Sequence, residues 1–423
     1  MEEYQFRHLT KLLNHAYESV PHYRRMFDER ALKPKNIQDF GDLRKLPFLT
    51  KEIIRDNLRD LIASNYPPHR LEYVTTGGST GVPLGFYYEK DISRVHEWAF
   101  IKTQWDRVGY RFRDKCAVIK GNVVESASRG KFWEYALLGR WLIMSSYHMT
   151  DNTLPGYIKK MREFRPKFIQ AYPSAITILA RFMRQNGVEP FPSLKAILCG
   201  SENLYPAQRQ LLEDTFQCRV YSWYGHAERV VLAGECERST YYHVFPEYGI
   251  TELVRDDGSS ITNDNETGII VGTGLDNYAM PLIRYQTDDL AVRAKETCTC
   301  GREYSLLKKV EGRWLQEFII TKNDRPISIT AINMHSDVFD NVGQFQFYQD
   351  KKEEVVLNIV RKGTYTGRDT EYIRRELLKK LGDDINLVIR SVDHIPRTQR
   401  GKHRFLIQKL PIAFGQYNYG NTE

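Results

Sequence analysis

The 423-residue sequence has no apolar run approaching the roughly 18 residues that a membrane-spanning helix needs, so nothing in it reads as a transmembrane segment. Its opening stretch, MEEYQFRHLT, is acidic and lacks an apolar core, which predicts the absence of a signal peptide. Six cysteines are too few to frame so long a chain with disulfides, and they suggest a reducing, cytoplasmic compartment. There is no internal repeat, no low-complexity linker, no long basic block and no nucleic-acid-binding motif. The net charge of +8 therefore points away from nucleic acid and toward small anions such as nucleotides, phosphates or acidic sugars, or else to a generally basic solvated surface. What is present is an apolar content of 41%, with 12% aromatic residues, as in a folded globular protein. The length suits two or three domains.

One stretch, LEYVTTGGSTGVPLGFYYEK (residues 71–90), sets a Thr/Gly/Ser loop between two β-like segments. Glycines let backbone approach a ligand closely, and hydroxyls add donors at little steric cost. Two familiar phosphate loops are excluded. A Walker-type loop needs Lys and Ser/Thr after its last glycine, whereas Gly81 is followed by Val82 and Pro83. A dinucleotide fingerprint opens a helix, whereas PLGFYYEK reads as a strand. The loop is a strand–loop–strand phosphate candidate, or a glycine-rich hairpin that holds nothing.

Residues 7–29 carry apolar side chains at helical spacing, interrupted at Pro21. From about residue 71, strands and helices alternate. CAVIK (116–120), KFIQAY (167–172), LKAILCG (194–200), CRVYSWYG (218–225) and GIIVGTG (268–274) read as buried strands. NTLPGYIKKMREF and AITILARFMRQNG read as amphipathic helices. That alternation predicts a layered α/β architecture. The tail differs: GQFQFYQDK and EEVVLNIVRK as strands, DTEYIRRELLKKLGDD as a helix ending at Gly382, and INLVIRSVD as a further strand. We expect a large α/β domain over residues 1–317 and a small, mobile α+β domain over 318–423.

Five further stretches follow the loop in order. LCGSENL holds Gly200, Ser201 and Glu202. YSWYGHAERV holds Tyr224, Gly225 and Glu228. MPLIRYQTDDL holds Arg284, Tyr285, Thr287 and Asp289, and KVEGRW holds Gly312 and Arg313. IPRTQRGKHRF, near the end, holds Gly401 and Lys402. The series resembles the adenylate-forming ligase superfamily of acyl-CoA synthetases, luciferases and adenylation domains. Length and loop wording resemble its phenylacetate–CoA ligase branch, including CapK-type proteins of capsule gene clusters. The resemblance runs over nearly the whole chain.

It implies ATP-dependent activation of a carboxylate as an acyl-AMP, with release of pyrophosphate, followed by acyl transfer. Thr75, Thr76, Gly77, Gly78, Ser79, Thr80 and Gly81 would cradle the phosphates. Glu228 would ligate Mg²⁺, a hard donor for a hard cation. Tyr224 would stack on adenine, with Gly225, His226 and Ala227 beside it and Gly200, Ser201 and Glu202 on the other edge. Asp289 would accept both ribose hydroxyls, and Arg313 would also reach the ribose. Lys402 would swing in with the small domain to bridge the α-phosphate and the substrate carboxylate, a point-charge role that suits lysine. Tyr172, Pro173, Ser174, Trp223 and His226 are the candidates for the carboxylate pocket, with Trp105, Trp133 and the YHMTDN segment at its mouth. Each of these, taken singly, also has an ordinary structural reading as a turn residue, surface charge or core aromatic.

Five departures from the family pattern stand out. The phosphate loop lacks a lysine, the usual Gly before the ribose Asp is Asp288, and the usual Thr before the Mg²⁺ Glu is Ala227. The hinge position is Leu315. The segment near which CoA-forming members admit the thiol is glycine-rich in those members and reads ITKNDRPISIT here. That, with the CapK resemblance, tilts the acceptor of a small-molecule or sugar-linked carboxylate toward an amine, on a sugar-acid or amino-acid partner in surface-polysaccharide synthesis, with the CoA thiol as the alternative. A non-catalytic nucleotide-binding descendant is a third reading, disfavoured because Glu228, Asp289, Arg313 and Lys402 are retained together.

Separately, GECERSTYYHV supplies Cys236 and His243, and ETCTCGRE supplies Cys298 and Cys300. Four such ligands are the number a structural zinc needs, although the spacing is no standard finger and two distant loops must meet. Relatives with a comparable cluster that holds zinc strengthen that reading. The alternative is reduced surface cysteines beside a solvated histidine.

Overall fold

A computed structural model describes residues 1–75, 84–120, 122, 124, 126, 130–136, 140–146, 148–149, 151–311, 318–322, 326–328, 337–339, 341–381, 385–396, 404 and 406–410. The helices are α1 (Glu2–Ser19), α2 (Pro21–Glu29), α3 (Lys51–Asp56), α4 (Ser93–Arg107), α5 (Leu154–Phe164), α6 (Pro173–Gln185), α7 (Pro206–Phe216) and α8 (Gly367–Leu381). The strands are β1 (Leu71–Thr75), β2 (Gly85–Glu89), β3 (Cys116–Lys120), β4 (Trp133–Ala136), β5 (Trp141–Ser145), β6 (Phe168–Ala171), β7 (Ala196–Gly200), β8 (Arg219–Gly225), β9 (Leu232–Gly234) and β10 (Tyr242–Val244). They continue with β11 (Gly249–Val254), β12 (Thr267–Gly274), β13 (Tyr285–Ala294), β14 (Leu306–Glu311), β15 (Phe318–Ile320), β16 (Pro326–Ser328), β17 (Val342–Lys351), β18 (Glu354–Arg361), β19 (Asn386–Ser391) and β20 (Leu406–Gln408). The chain divides into two units, Met1–Arg111 with Tyr221–Gly312, and Phe112–Val220 with Arg313–Glu423.

In the first unit, α1 aligns Leu9, Leu12, Leu13 and Ala16 on one buried face, the spacing of an amphipathic helix. Glu2 and Glu3 occupy its first turn, where negative charge suits the helix dipole. Val20 is extended (φ −112°, ψ 111°), as a residue before proline prefers, and Pro21 opens α2. The interruption read from the sequence is thus a break between two helices. The α1 face packs in one core with Val230, Val231, Ile250 and Ile270, and each large side chain so buried contributes roughly 1.5–3 kcal/mol before entropy is counted.

β1 and β2 pair antiparallel from Leu71↔Glu89 to Thr75↔Gly85, so the Thr/Gly loop joins two strands. The loop itself, 76–83, lies outside the described residues. From Tyr221 onward the strands run β8–β9–β10–β14–β13–β12–β11, every neighbouring pair antiparallel. The sequence had suggested continued α/β alternation here, but no helix occurs among the described residues of 221–311. Close backbone approach takes its place. A Cβ on Gly249 would sit 2.2 Å from the Val230 carbonyl oxygen, and one on Gly272 2.5 Å from a Val230 methyl.

The second unit does alternate. β7, β6, β3 and β5 are parallel neighbours, and β4 adds an antiparallel edge on β5. α5 and α6 bury Tyr157, Met161, Ile176 and Leu179 in the same core as Ile169 and Ile197 of the strands. Further along, β19–β18–β17–β20 form a sheet with α8, which contributes Ile373, Leu377 and Leu381 to a core with Phe347 and Leu357. That is the α+β unit expected of the tail.

Candidate functional site

The first unit gathers the candidate acids. β8 ends in Tyr224 and Gly225, the next turn carries His226, Ala227 and Glu228, and β13 supplies Tyr285 and Asp289. Gly225 is closely packed: a Cβ there would sit 3.1 Å from Leu232 and Trp223 side-chain carbons, which would have to give by a few tenths of an ångström. Glu228 is 8% exposed. Its Oε1 accepts from the Tyr285 hydroxyl at 2.6 Å, and its Oε2 lies 3.2 Å from His226 Nδ1. Burial works to raise the Glu228 pKa, but the imidazole and the Tyr285 hydroxyl outweigh it and hold the carboxyl at about 2. It is therefore an ionised oxygen donor at neutral pH, and each oxygen keeps a lone pair beyond its protein partner. His226 Nε2 is buried with no partner among the described residues.

Asp289 mirrors this arrangement. It is buried, and its Oδ2 accepts from the Tyr224 hydroxyl at 2.7 Å. Burial pushes the Tyr224 and Tyr285 phenols well above their ordinary pKa, and the acids beside them add to it, so both tyrosines stay protonated donors. The Ala227 carbonyl accepts from the Tyr88 hydroxyl. The Asp289 turn is itself pinned, because the Thr287 hydroxyl donates to Ile270 O at 2.8 Å and accepts from Asp289 N at 3.1 Å. Arg284 is buried in a two-pronged pair with Glu252 at 2.8 and 3.0 Å, and also donates to Leu46 O at 2.5 Å. It has a framework role.

The second unit gathers another set. Tyr172 follows β6, Pro173 opens α6, and Gly200, Ser201 and Glu202 end β7. The parallel register Ala171↔Cys199 puts the two groups side by side at the carboxyl edge of the strands, where open α/β sheets hold ligands. Ser201 adopts the left-handed conformation (φ 67°), unusual for a non-glycine residue. The Lys120 ammonium, at the end of β3, lies 5.9 Å from the centre of the Tyr172 ring, and the sequence had not singled it out.

The other expected site residues lie as follows. Trp105 is fully buried in α4, against Trp98 and Tyr110, and lines no pocket mouth. Trp133 packs edge-on to Tyr157. Trp223 packs with Leu232, Phe245 and Tyr248. Ser174 lies in α6 and Thr75 at the end of β1. Thr76, Gly77, Gly78, Ser79, Thr80, Gly81, Arg313 and Lys402 lie outside the described residues.

The cysteine cluster does assemble. Cys236 lies in the loop after β9, His243 in β10, and Cys298 and Cys300 in the loop between β13 and β14. The β9–β10 pairing sets His243 opposite Gly234, which brings Cys236 near it. The four ligand atoms lie within 4.8 Å of one another. Cys236 Sγ is 3.6 Å from Cys298 Sγ, and Cys300 Sγ is 3.3 Å from His243 Nε2. Tetrahedral zinc–sulfur bonds of about 2.3 Å separate their ligands by about 3.8 Å, so the spacing suits an ion at the centre. His243 Nδ1 bonds the Tyr241 carbonyl at 3.0 Å, which leaves Nε2 to face the sulfurs. Backbone N–H groups of Arg238 and Cys300 donate to Cys236 Sγ and Cys298 Sγ at 3.3 and 3.5 Å. Cys236 and His243 are wholly buried, so neither is a solvated surface group. Burial pushes the Cys236 thiol up to about 11, a cost that a bound cation would relieve.

Comparison with known proteins agrees in scope. Residues 319–409 match the family model described as the CapK C-terminal domain. The phenylacetate-coenzyme A ligase of Thermus thermophilus is 27% identical over 78% of this chain and 74% of its own length. Protein CapK of Staphylococcus aureus is 24% identical over 96% and 89%. Among solved structures, 2-hydroxyisobutyryl-CoA ligase in its postadenylation state, in complex with R3-HIB-AMP, superposes with a TM-score of 0.73 at 18% identity, covering 96% of this chain and 89% of that one. The likeness to that structure is one of fold.

Proposed function

We propose, for a chain that belongs to the adenylate-forming ligase superfamily and to its phenylacetate–CoA ligase and CapK-like branch, a two-step ligation that begins with AMP-forming activation of a carboxylate. In the first step the acid attacks the α-phosphorus of ATP, giving acyl-AMP and pyrophosphate. In the second an acceptor takes the acyl group and AMP leaves.

The observation that carries this reading is the paired acids of the first unit. Glu228 is ionised and held by Tyr285 and His226, and Asp289 is held by Tyr224. An ionised carboxylate with free lone pairs fits a magnesium ion, which would neutralise phosphate charge when bound. Asp289 would turn toward the ribose hydroxyls, with the Tyr224 ring against the adenine. Gly200, Ser201 and Glu202 would take the other adenine edge, and Tyr172 and Pro173 would border the acid. Residues 75–81 would cradle the phosphates and Arg313 would reach the ribose. Lys402, on a mobile domain of residues 318–423, would bridge acid and α-phosphate and withdraw before the acceptor arrives. The cysteine cluster would hold a structural zinc, since four protein ligands leave no open coordination position.

For the acceptor we favour an amine, in capsule or other surface-polysaccharide synthesis, because the match over 319–409 is to a CapK domain and residues 320–330 lack glycine. The CoA thiol is the second reading, favoured by the names of the phenylacetate-coenzyme A and 2-hydroxyisobutyryl-CoA ligases. Pyrophosphate release from Mg·ATP over aryl, fatty, amino and uronic acids, each with and without CoA, separates them. CoA-independent release with one acid class is expected. CoA-stimulated turnover would replace the amine with the thiol. ATP binding without release for any acid would leave a non-catalytic nucleotide-binding protein.

A further inference from the structure

Asp288 stands where glycine is usual, and its backbone adopts the left-handed conformation, φ 62°, that favours glycine. Aspartate is one of the few side chains tolerated there, but a turn built on it needs support. The support comes from far away in sequence. Leu49 N donates to Arg284 O, and Gln286 N donates to Leu49 O, both at 3.0 Å, so Leu49 forms an isolated parallel bridge with Tyr285 at the start of β13. Thr50 then caps α3 through Ile53 N. That cap aims the next side chain, Lys51, back across the turn. Its ammonium bonds Asp288 Oδ2 and reaches Thr287 O at 3.4 Å. The Lys51 side chain is only 17% exposed, unlike the flexible lysine of an ordinary surface pair.

We propose that Lys51 is a positioning residue for ribose recognition: it straps the left-handed Asp288 turn and thereby holds Asp289 in the orientation that receives the ribose hydroxyls. This rests on the assignment of Asp289 to the ribose. In a relative with glycine at this position the backbone conformation is available without a strap; here a lysine on a separate helix supplies it.

The test is calorimetric titration of the full chain with Mg·ATP and with Mg·2′,3′-dideoxy-ATP, which lacks both hydroxyls. Lys51→Met should weaken ATP binding about tenfold, the loss expected of one charge-assisted contact, while changing dideoxy-ATP binding less than about twofold. Adding Asp288→Gly to Lys51→Met should restore ATP affinity to within about threefold of wild type, because glycine adopts the turn unaided. Lys51→Gln reads the same contrast where the methionine variant does not fold. Equal losses for both nucleotides would place Lys51 on the phosphates and overturn the proposal. No loss would make it a surface pair, and a double variant no better than the single would remove the strap. Wild type that binds neither nucleotide, or binds both equally, would instead refute the ATP or ribose reading on which the proposal stands.

Discussion

Two clusters within the first unit handle buried polar groups in opposite ways. Around Glu228 and Asp289 a protein hydroxyl engages each acid, Tyr285 for one and Tyr224 for the other. Each acid is thus oriented before any ligand arrives and still has lone pairs to offer one. Around Cys236, His243, Cys298 and Cys300 the ligand atoms meet one another and two backbone N–H groups, with no side-chain hydroxyl among those contacts. Thiols are weak hydrogen-bonding groups, so that cluster draws little from its own assembly. On the roles proposed above, the contrast is between a site that trades ligands and one that keeps an ion, and it orders the expected effects of mutation.

The largest effect should come from the cysteines. Replacing Cys298 and Cys300 with serine should reduce bound zinc from about one ion per chain to near none, with a fall in Tm of at least about 5 °C, since structural zinc contributes folding energy directly. Elemental analysis beside calorimetry reads both. An unchanged melting temperature in the metal-free variant would erase the contrast between the clusters. Glu228→Gln comes next. It keeps the shape and both neighbours but removes the charge, so kcat for pyrophosphate release should fall about 100-fold, with partial recovery at high Mg²⁺. A variant as active as wild type at every Mg²⁺ concentration would take Glu228 out of metal binding.

The smallest effect concerns the support behind Glu228. Arg229, next in sequence, lies 3.7 Å from Glu97, which accepts from Tyr248 at 2.5 Å. Burial pushes the Glu97 carboxyl above its ordinary pKa. A carboxyl raised in the fold contributes stability that is full below its ordinary value and is lost as pH rises through the raised one. Wild type should therefore lose stability relative to Glu97→Gln as pH rises from the ordinary carboxylate range toward neutrality. Melting temperatures across that range read it, and a constant difference between the two proteins would show that Glu97 does not titrate there.

The sequence made the second unit plain because parallel strands and amphipathic helices carry distinct periods, as in KFIQAY followed by AITILARFMRQNG. The first unit was harder. Its strands β9 to β14 pair antiparallel across glycines such as Gly249 and Gly272, whose close contacts leave no periodic signal. In the site, residue types and order pointed to Glu228 and Asp289, but their tyrosine partners depend on strand pairing that spacing does not encode. Tyr285, though quoted in its motif, had no role until its hydroxyl met Glu228. Lys51 carried no signal at all, because 237 residues separate it from Asp288. Asp288 was the only hint, visible as a departure from an expected glycine.

The measurement closest to the central claim is acid-dependent exchange of labelled pyrophosphate into ATP, run on wild type and Lys402→Ala with ATP binding measured in parallel. The account predicts exchange in wild type with one class of carboxylic acid. It also predicts loss of exchange by about 100-fold or more in the variant, with ATP affinity retained, because the lysine stabilises the reacting groups and not the bound nucleotide. Exchange at the wild-type rate in Lys402→Ala, or ATP binding with no exchange for any acid in wild type, would contradict it.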